Sequence, residues 1–153
     1  MKKTVVPVLA FLALLLFAAG CSKSNNQSEK DHQLILDYVK SHNLQGDFTA
    51  SGLYYVIEKS GSDNHPTLSS TVNVDYKGYF LNDQAFDAGT GVIFPLSSVI
   101  AGWQEGLQLI GEGGKVKLII PSALAYGDRQ AGSIPPNSVL VFDVTLNGIV
   151  ILN

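Results

Sequence analysis

Asp75, Asp83 and Asp87 stand eight and four residues apart, a spacing at which two acids could act as a pair on a glycosidic bond. The residues around them read as strand and turn, where solvated acids are ordinary, so paired-acid chemistry is not assigned. His32, His42 and His65 fall outside any i, i+4 pairing and read as surface histidines, not metal ligands. Cys21 is the single cysteine, which excludes an intrachain disulfide and a cysteine-rich metal centre. The stretch "GEGG" at 111–114 lacks the lysine-serine pair that would follow in a phosphate loop. What is left is Trp103, the only tryptophan, in "VIAGWQEGLQLIGEGG" between Gly102 and Gly106, with no strong acid, base or nucleophile on its side of a short helix.

The elements that must hold this tryptophan belong to one domain, since 153 residues less a leader leave room for a single core. "MKK", an apolar run "TVVPVLAFLALLLF" and the small residues of "AAGC" follow the order of a secretory signal peptide over 1–20. The run contains Pro7 and is short for a bilayer span of ~20 residues. "FAAGCS" resembles a bacterial lipobox, with Ala18 where leucine is commonest, and implies an acylated Cys21 holding the chain on a membrane. Ser22 after the cysteine resembles, in a Gram-negative cell, proteins sorted onward to the outer membrane; the leaflet is not specified. Residues 21–30, "CSKSNNQSEK", are polar and aperiodic and are expected to form a flexible tether. Net charge is −3 and becomes −5 when Lys2 and Lys3 leave with the leader, which argues against a nucleic-acid surface.

From Asp31, "DHQLILDYVKSHNLQG" puts Leu34, Ile35, Tyr38 and Val39 on one face, predicting an amphipathic helix over 31–46 that docks on the domain. Beyond Gly52 the period becomes two. "LYYVIEK", "TVNVDYKGYF", "KVKLII" and "SVLVFDVTLNGIVIL" read as strands, with Val72, Val74 and Tyr76 sharing one face and Leu140, Phe142, Val144 and Leu146 another. "LNDQAFDAGTGV" is turn-rich, and "IFPL" is a short extended piece with Pro95 suited to an edge. Ala101 to Ile110 is the one helical segment inside this region, with Trp103, Leu107 and Ile110 at i, i+4, i+7 and Gln104 and Glu105 facing away. A twisted antiparallel sheet needs its apolar face covered, and one short helix across it suffices. The fold class expected is therefore α+β over 50–153, with Trp103 on the seam.

Five fragments, "VDYKGYF", "FDAG", "FPLSSVIAGWQEGL", "GGKVKLIIP" and "AYGDRQAGSIPPNSVLVFDVTL", occur in an order that resembles the FKBP-type peptidyl-prolyl cis-trans isomerases, over Leu53 to Leu146. The resemblance implies a twisted sheet wrapped around one short helix and an aromatic pocket for a proline ring. It implies catalytic positions at Tyr76, Asp87, Trp103, Tyr126 and Phe142, and substrate-binding positions at Phe86, Phe94, Val99, Ile100 and Ile134. Trp103 would be the pocket floor, the Ile100 N–H and the Tyr126 hydroxyl would donate to substrate carbonyls, and Asp87 would orient Tyr76. No cofactor or metal is implied; partners would be proline-containing polypeptides and the family's macrolide inhibitors. Val92 departs from an aromatic found in many members, and the loop "GDRQAGS" is shorter than in well-known eukaryotic members and lacks their histidine. Both departures touch the rim and imply altered substrate preference.

A membrane-tethered chaperone or binding module on the same fold is the alternative, distinguished by an isomerase assay. Retention of Asp87, Trp103 and Tyr126, and the lack of a large insertion between Phe80 and Trp103, favour the enzyme. A monomer is expected, with dimerisation through the helix starting at Asp31 as the alternative.

Overall fold

The computed structural model describes residues 22–150, with side chains described from residue 26. The expected leader and the acylated Cys21 lie outside the described residues. A single sheet of six antiparallel strands carries the molecule: β1 (Asp47–Phe48), β2 (Tyr54–Lys59), β3 (Thr71–Phe80), β4 (Ala85–Pro95), β5 (Lys115–Ile120) and β6 (Leu140–Val150), in the spatial order β1-β2-β5-β6-β3-β4. Helix α1 (Ser22–Ser41) precedes the sheet, and α2 (Ala101–Leu107) lies between β4 and β5 in sequence.

Alternation along the central strands decides which layer each residue joins. Val116, Leu118 and Ile120 of β5 and Leu140, Phe142, Val144 and Leu146 of β6 enter a core shared with Trp103, Leu107 and Ile110. The neighbouring Ile119 and Val141 point to the opposite face, where Ile35 and Tyr38 of α1 pack with Tyr54, Tyr79 and Val139. The sheet is thus covered on both faces, by α2 and by α1. Docking of α2 needs two glycines: a Cβ on Gly102 or on Gly106 would meet the side chain of Ile120 or Leu118 at 2.5 Å. Without those atoms the helix backbone lies directly on β5 and brings Trp103 over the sheet.

Five expectations are corrected. The tether expected over 21–30 is helical from Ser22, because the stretch contains neither glycine nor proline and Gln27 donates to Asp31 at 2.7 Å one turn on. The same helix stops at Ser41, short of residue 46. Asn43 takes φ 52° there, Leu44 N–H bonds the Val39 carbonyl at 3.0 Å and Asn43 N–H bonds that of Lys40 at 3.3 Å. These two bonds make a Schellman stop. Leu34, placed on the docking face by its spacing, is 43% exposed. Finally, the turn-rich reading of 81–92 gives way to strand from Ala85. A tight reversal with Asp83 at φ 65° feeds β4 into an extended ladder on β3, interrupted by two register shifts. Pro95 closes β4, which is an edge strand, so its missing N–H costs no ladder bond on the open side. Helix α2 also ends three residues early, at Leu107, yet Ile110 remains fully buried.

Candidate functional site

Strands β3, β4 and β6, helix α2 and the β5–β6 connection converge on a cavity of about 510 Å³, open to solvent on one side. All ten expected pocket residues line it: Tyr76, Phe86, Asp87, Phe94, Val99, Ile100, Trp103, Tyr126, Ile134 and Phe142. Val92, singled out as a departure, lines it as well. Ser98, Ala131, Gly132 and Ser133 complete the wall; being small and in short turns outside the strands and α2, they gave no periodic signal in the sequence.

Trp103 is the centre of the aromatic set. Its ring meets Tyr76 at 5.2 Å and 82° and Phe142 at 5.2 Å and 90°, both edge-to-face, and Phe94 at 5.7 Å. Phe142 in turn meets Phe86 edge-to-face at 5.5 Å. Such geometry aligns ring edges with ring faces and is worth ~0.5–1.5 kcal/mol per pair beyond burial, which stiffens the cavity wall. Gly78 makes room for it, since a Cβ there would meet the rings of Phe142 and Phe86 at 2.7 and 2.8 Å. The Trp103 Nε1 is a buried donor with no partner among the described residues.

Polar atoms are few and held in place. The Tyr76 hydroxyl donates to Asp87 Oδ2 at 2.8 Å, while Asp87 Oδ1 accepts the Ala88 N–H at 2.9 Å. Burial first, then this bond to Asp87, pushes the Tyr76 phenol up to about 12, so it remains a neutral donor at ordinary pH. Tyr126, at 38% exposure, has a hydroxyl with no protein partner among the described residues. The Ile100 N–H is likewise unpaired, while its carbonyl starts α2 by accepting from Trp103 and Gln104. Gln104 does not simply face away as its helical position suggested. Its Nε2 reaches back to the Val99 carbonyl at 2.8 Å and fixes the corner that presents Val99 and Ile100. Ile134 is presented by a small bridge with Ala131, in which each N–H bonds the other's carbonyl, at 2.9 and 3.0 Å.

The remaining carboxylates and histidines do not join this site. Asp83 lies near His42 at 3.4 Å on the α1 side, and Asp75 accepts from the Gly91 N–H and from Asn147. His65 bonds the Gln108 carbonyl and His32 packs on Phe48, so the three histidines are separate.

A model of the FKBP-type peptidyl-prolyl cis-trans isomerase family matches residues 62–147, more than half the chain and all of the cavity. The chain belongs to that family. It is 48% identical over 102 residues to the FKBP-type peptidyl-prolyl cis-trans isomerase FkpA of Aeromonas hydrophila, a match covering 64% of this chain and 38% of that protein. A family relative from Haemophilus influenzae is 38% identical over 148 residues, 94% of this chain and 61% of the relative. Among solved structures, FkpA from Escherichia coli superposes with a TM-score of 0.72 at 37% identity, covering 82% of this chain and 62% of that one. The chain therefore spans about two fifths of the length of the FkpA proteins it matches in sequence.

Proposed function

We propose that this protein is a peptidyl-prolyl cis-trans isomerase that accelerates rotation about X-Pro bonds in exported polypeptides. What supports the reading is one observation: the ten positions singled out by family resemblance surround a single open aromatic cavity.

The chemistry asked of such a cavity is modest. Rotation about an X-Pro amide breaks no covalent bond, and its barrier of ~18–20 kcal/mol comes from the double-bond character of the C–N link. Planar resonance places negative charge on the carbonyl oxygen, and water favours that form. A dry cavity that fits the twisted amide better than either planar isomer lowers the barrier, each ~1.4 kcal/mol of difference being tenfold in rate. Trp103 supplies the floor beneath the proline ring, with Tyr76, Phe94 and Phe142 around it. The unpaired Ile100 N–H and Tyr126 hydroxyl bind substrate carbonyls and keep the peptide still while the prolyl end turns. Asp87 holds the Tyr76 hydroxyl and polarises one wall; no proton moves, so it is not a general base. Such a site also takes proline-mimicking macrolides of the kind that inhibit the family.

The test is cis-to-trans conversion of a short proline peptide by the folded chain, with and without a family macrolide. Acceleration that the macrolide abolishes supports the reading. A well-folded chain with no effect on the rate is instead a membrane-tethered binding module or chaperone.

For the location, the basic start, apolar run and "AAGC" support cleavage before Cys21 and acylation of its thiol and new amino group. With α1 beginning at Ser22, a helix rather than a flexible spacer follows the anchor. Globomycin should block maturation, and mass spectrometry of the mature N-terminus should find a diacylated or triacylated Cys21. A free cysteine there removes the anchor. The outer membrane is the proposed destination in a Gram-negative cell, and a monomer the proposed state, checked by fractionation and light scattering.

A further inference from the structure

Asp31 and Ser122 are buried polar side chains from distant parts of the chain, 1% and 3% exposed, and they are bonded to each other. Asp31 Oδ2 accepts both the N–H of Ser122, at 2.8 Å, and its hydroxyl, at 2.6 Å, while Oδ1 accepts from Gln27. No ion pair among the described residues includes this carboxylate. A buried acid held only by neutral donors is costly to desolvate, so its place calls for an account beyond stability.

Ser122 opens the short 3-10 turn Ser122–Leu124 that follows β5. Its carbonyl accepts two further bonds, from the N–H of Ala125 at 3.0 Å and of Gly127 at 2.8 Å. Those are the two residues flanking Tyr126. The Gly127 carbonyl then accepts the Asn137 N–H at 2.7 Å, which ties in the loop that carries Ile134. Among the described residues the Tyr126 hydroxyl has no hydrogen-bond partner and the residue is partly exposed, so its position at the cavity wall is set by the backbone on either side of it.

We propose that Asp31 is a positioning residue for Tyr126: from helix α1 it clamps Ser122, and through the Ser122 carbonyl it fixes the 125–127 backbone that aims the Tyr126 hydroxyl into the cavity. The N-terminal helix is then a working part of the site. Bonds to a charged acceptor are roughly twice as strong as neutral ones, and shielding from water strengthens them further, so this acceptor grips the turn more tightly than an amide or hydroxyl. The role in turnover rests on the isomerase reading above; the clamp itself does not.

The experiment uses the full chain with Asp31→Ala, Asp31→Asn and Ser122→Ala, each also combined with Tyr126→Phe. Amide exchange at Ala125 and Gly127 reads the clamp, and kcat/KM on a proline peptide reads the consequence. The Asp31→Ala change should speed exchange at both amides by about tenfold and lower kcat/KM by about tenfold, with Asp31→Asn partly restoring both. In the Tyr126→Phe background the same change should cost less than about twofold, because the hydroxyl it serves is gone. Ser122→Ala, which keeps the N–H bond, should show a smaller version of both effects and decides the matter if Asp31→Ala does not fold. Unchanged protection at Gly127, or losses that simply multiply with Tyr126→Phe, would overturn the proposal. A wild-type chain without isomerase activity removes the isomerase reading alone, and the exchange data still decide the clamp.

Discussion

Tyr76 on β3 and Asp87 on β4 are joined side chain to side chain at 2.8 Å, across the strand pair that forms one wall of the cavity. The bond fixes the ring that meets Trp103 edge-on. Asp87 is exposed, so its removal should leave the core intact and loosen only that ring. Asp87→Ala should lower kcat/KM on a proline peptide by about tenfold, equivalent to ~1.4 kcal/mol, with a melting temperature close to wild type. Equal kcat/KM in the two proteins would remove Asp87 from the mechanism.

Phe142 serves the core and the cavity at once. It is 6% exposed on the inward face of β6 and contacts Trp103 and Phe86. Truncation to alanine empties space on both sides, and buried aromatic deletions typically cost ~3–5 kcal/mol. Phe142→Ala should therefore lose both stability, by chemical denaturation, and turnover. An unaltered unfolding midpoint would show that the ring contributes little to the core.

Alkaline pH should unfold the protein through its buried phenols. Tyr76 is pushed up to about 12, mainly by burial, and Tyr38 and Tyr79 are raised as well, again with burial first. Below the ordinary phenol value of ~10 these groups are neutral in both states and their contribution to stability is intact. As pH rises beyond it, the unfolded chain ionises first and stability falls until the native phenols titrate. Melting temperature should begin to fall near pH 10, and Tyr76→Phe should reduce the slope. A melting temperature flat to pH 11 would contradict the raised phenols.

How much of this was legible in the sequence varies with the kind of force involved. Where apolar periodicity and burial agree, the reading held. Trp103 and Leu107 do share the inward face of α2, with Ile110 just past its end buried in the same core, and Leu140, Phe142, Val144 and Leu146 share the inward face of β6. The cavity residues were reached by resemblance, since no period marks Tyr126 or Ile134. Two elements without a clean apolar period were misread. The first half of α1 is polar and aperiodic, and residues of β4 such as Gly89 and Gly91 favour turns, yet β3 imposes a long ladder on that strand. The bond between Asp31 and Ser122 joins residues 91 apart, which no local pattern announces.

The central claim is that the cavity around Trp103 favours the twisted prolyl amide. The most direct measurement is NMR magnetisation exchange between the cis and trans signals of a proline peptide in the presence of a small fraction of the folded protein. Exchange cross-peaks should appear within seconds, whereas the free peptide interconverts over tens of seconds or longer, and a macrolide of the family should abolish them. Cross-peaks no stronger than those of the free peptide, with the domain shown to be folded, would contradict it.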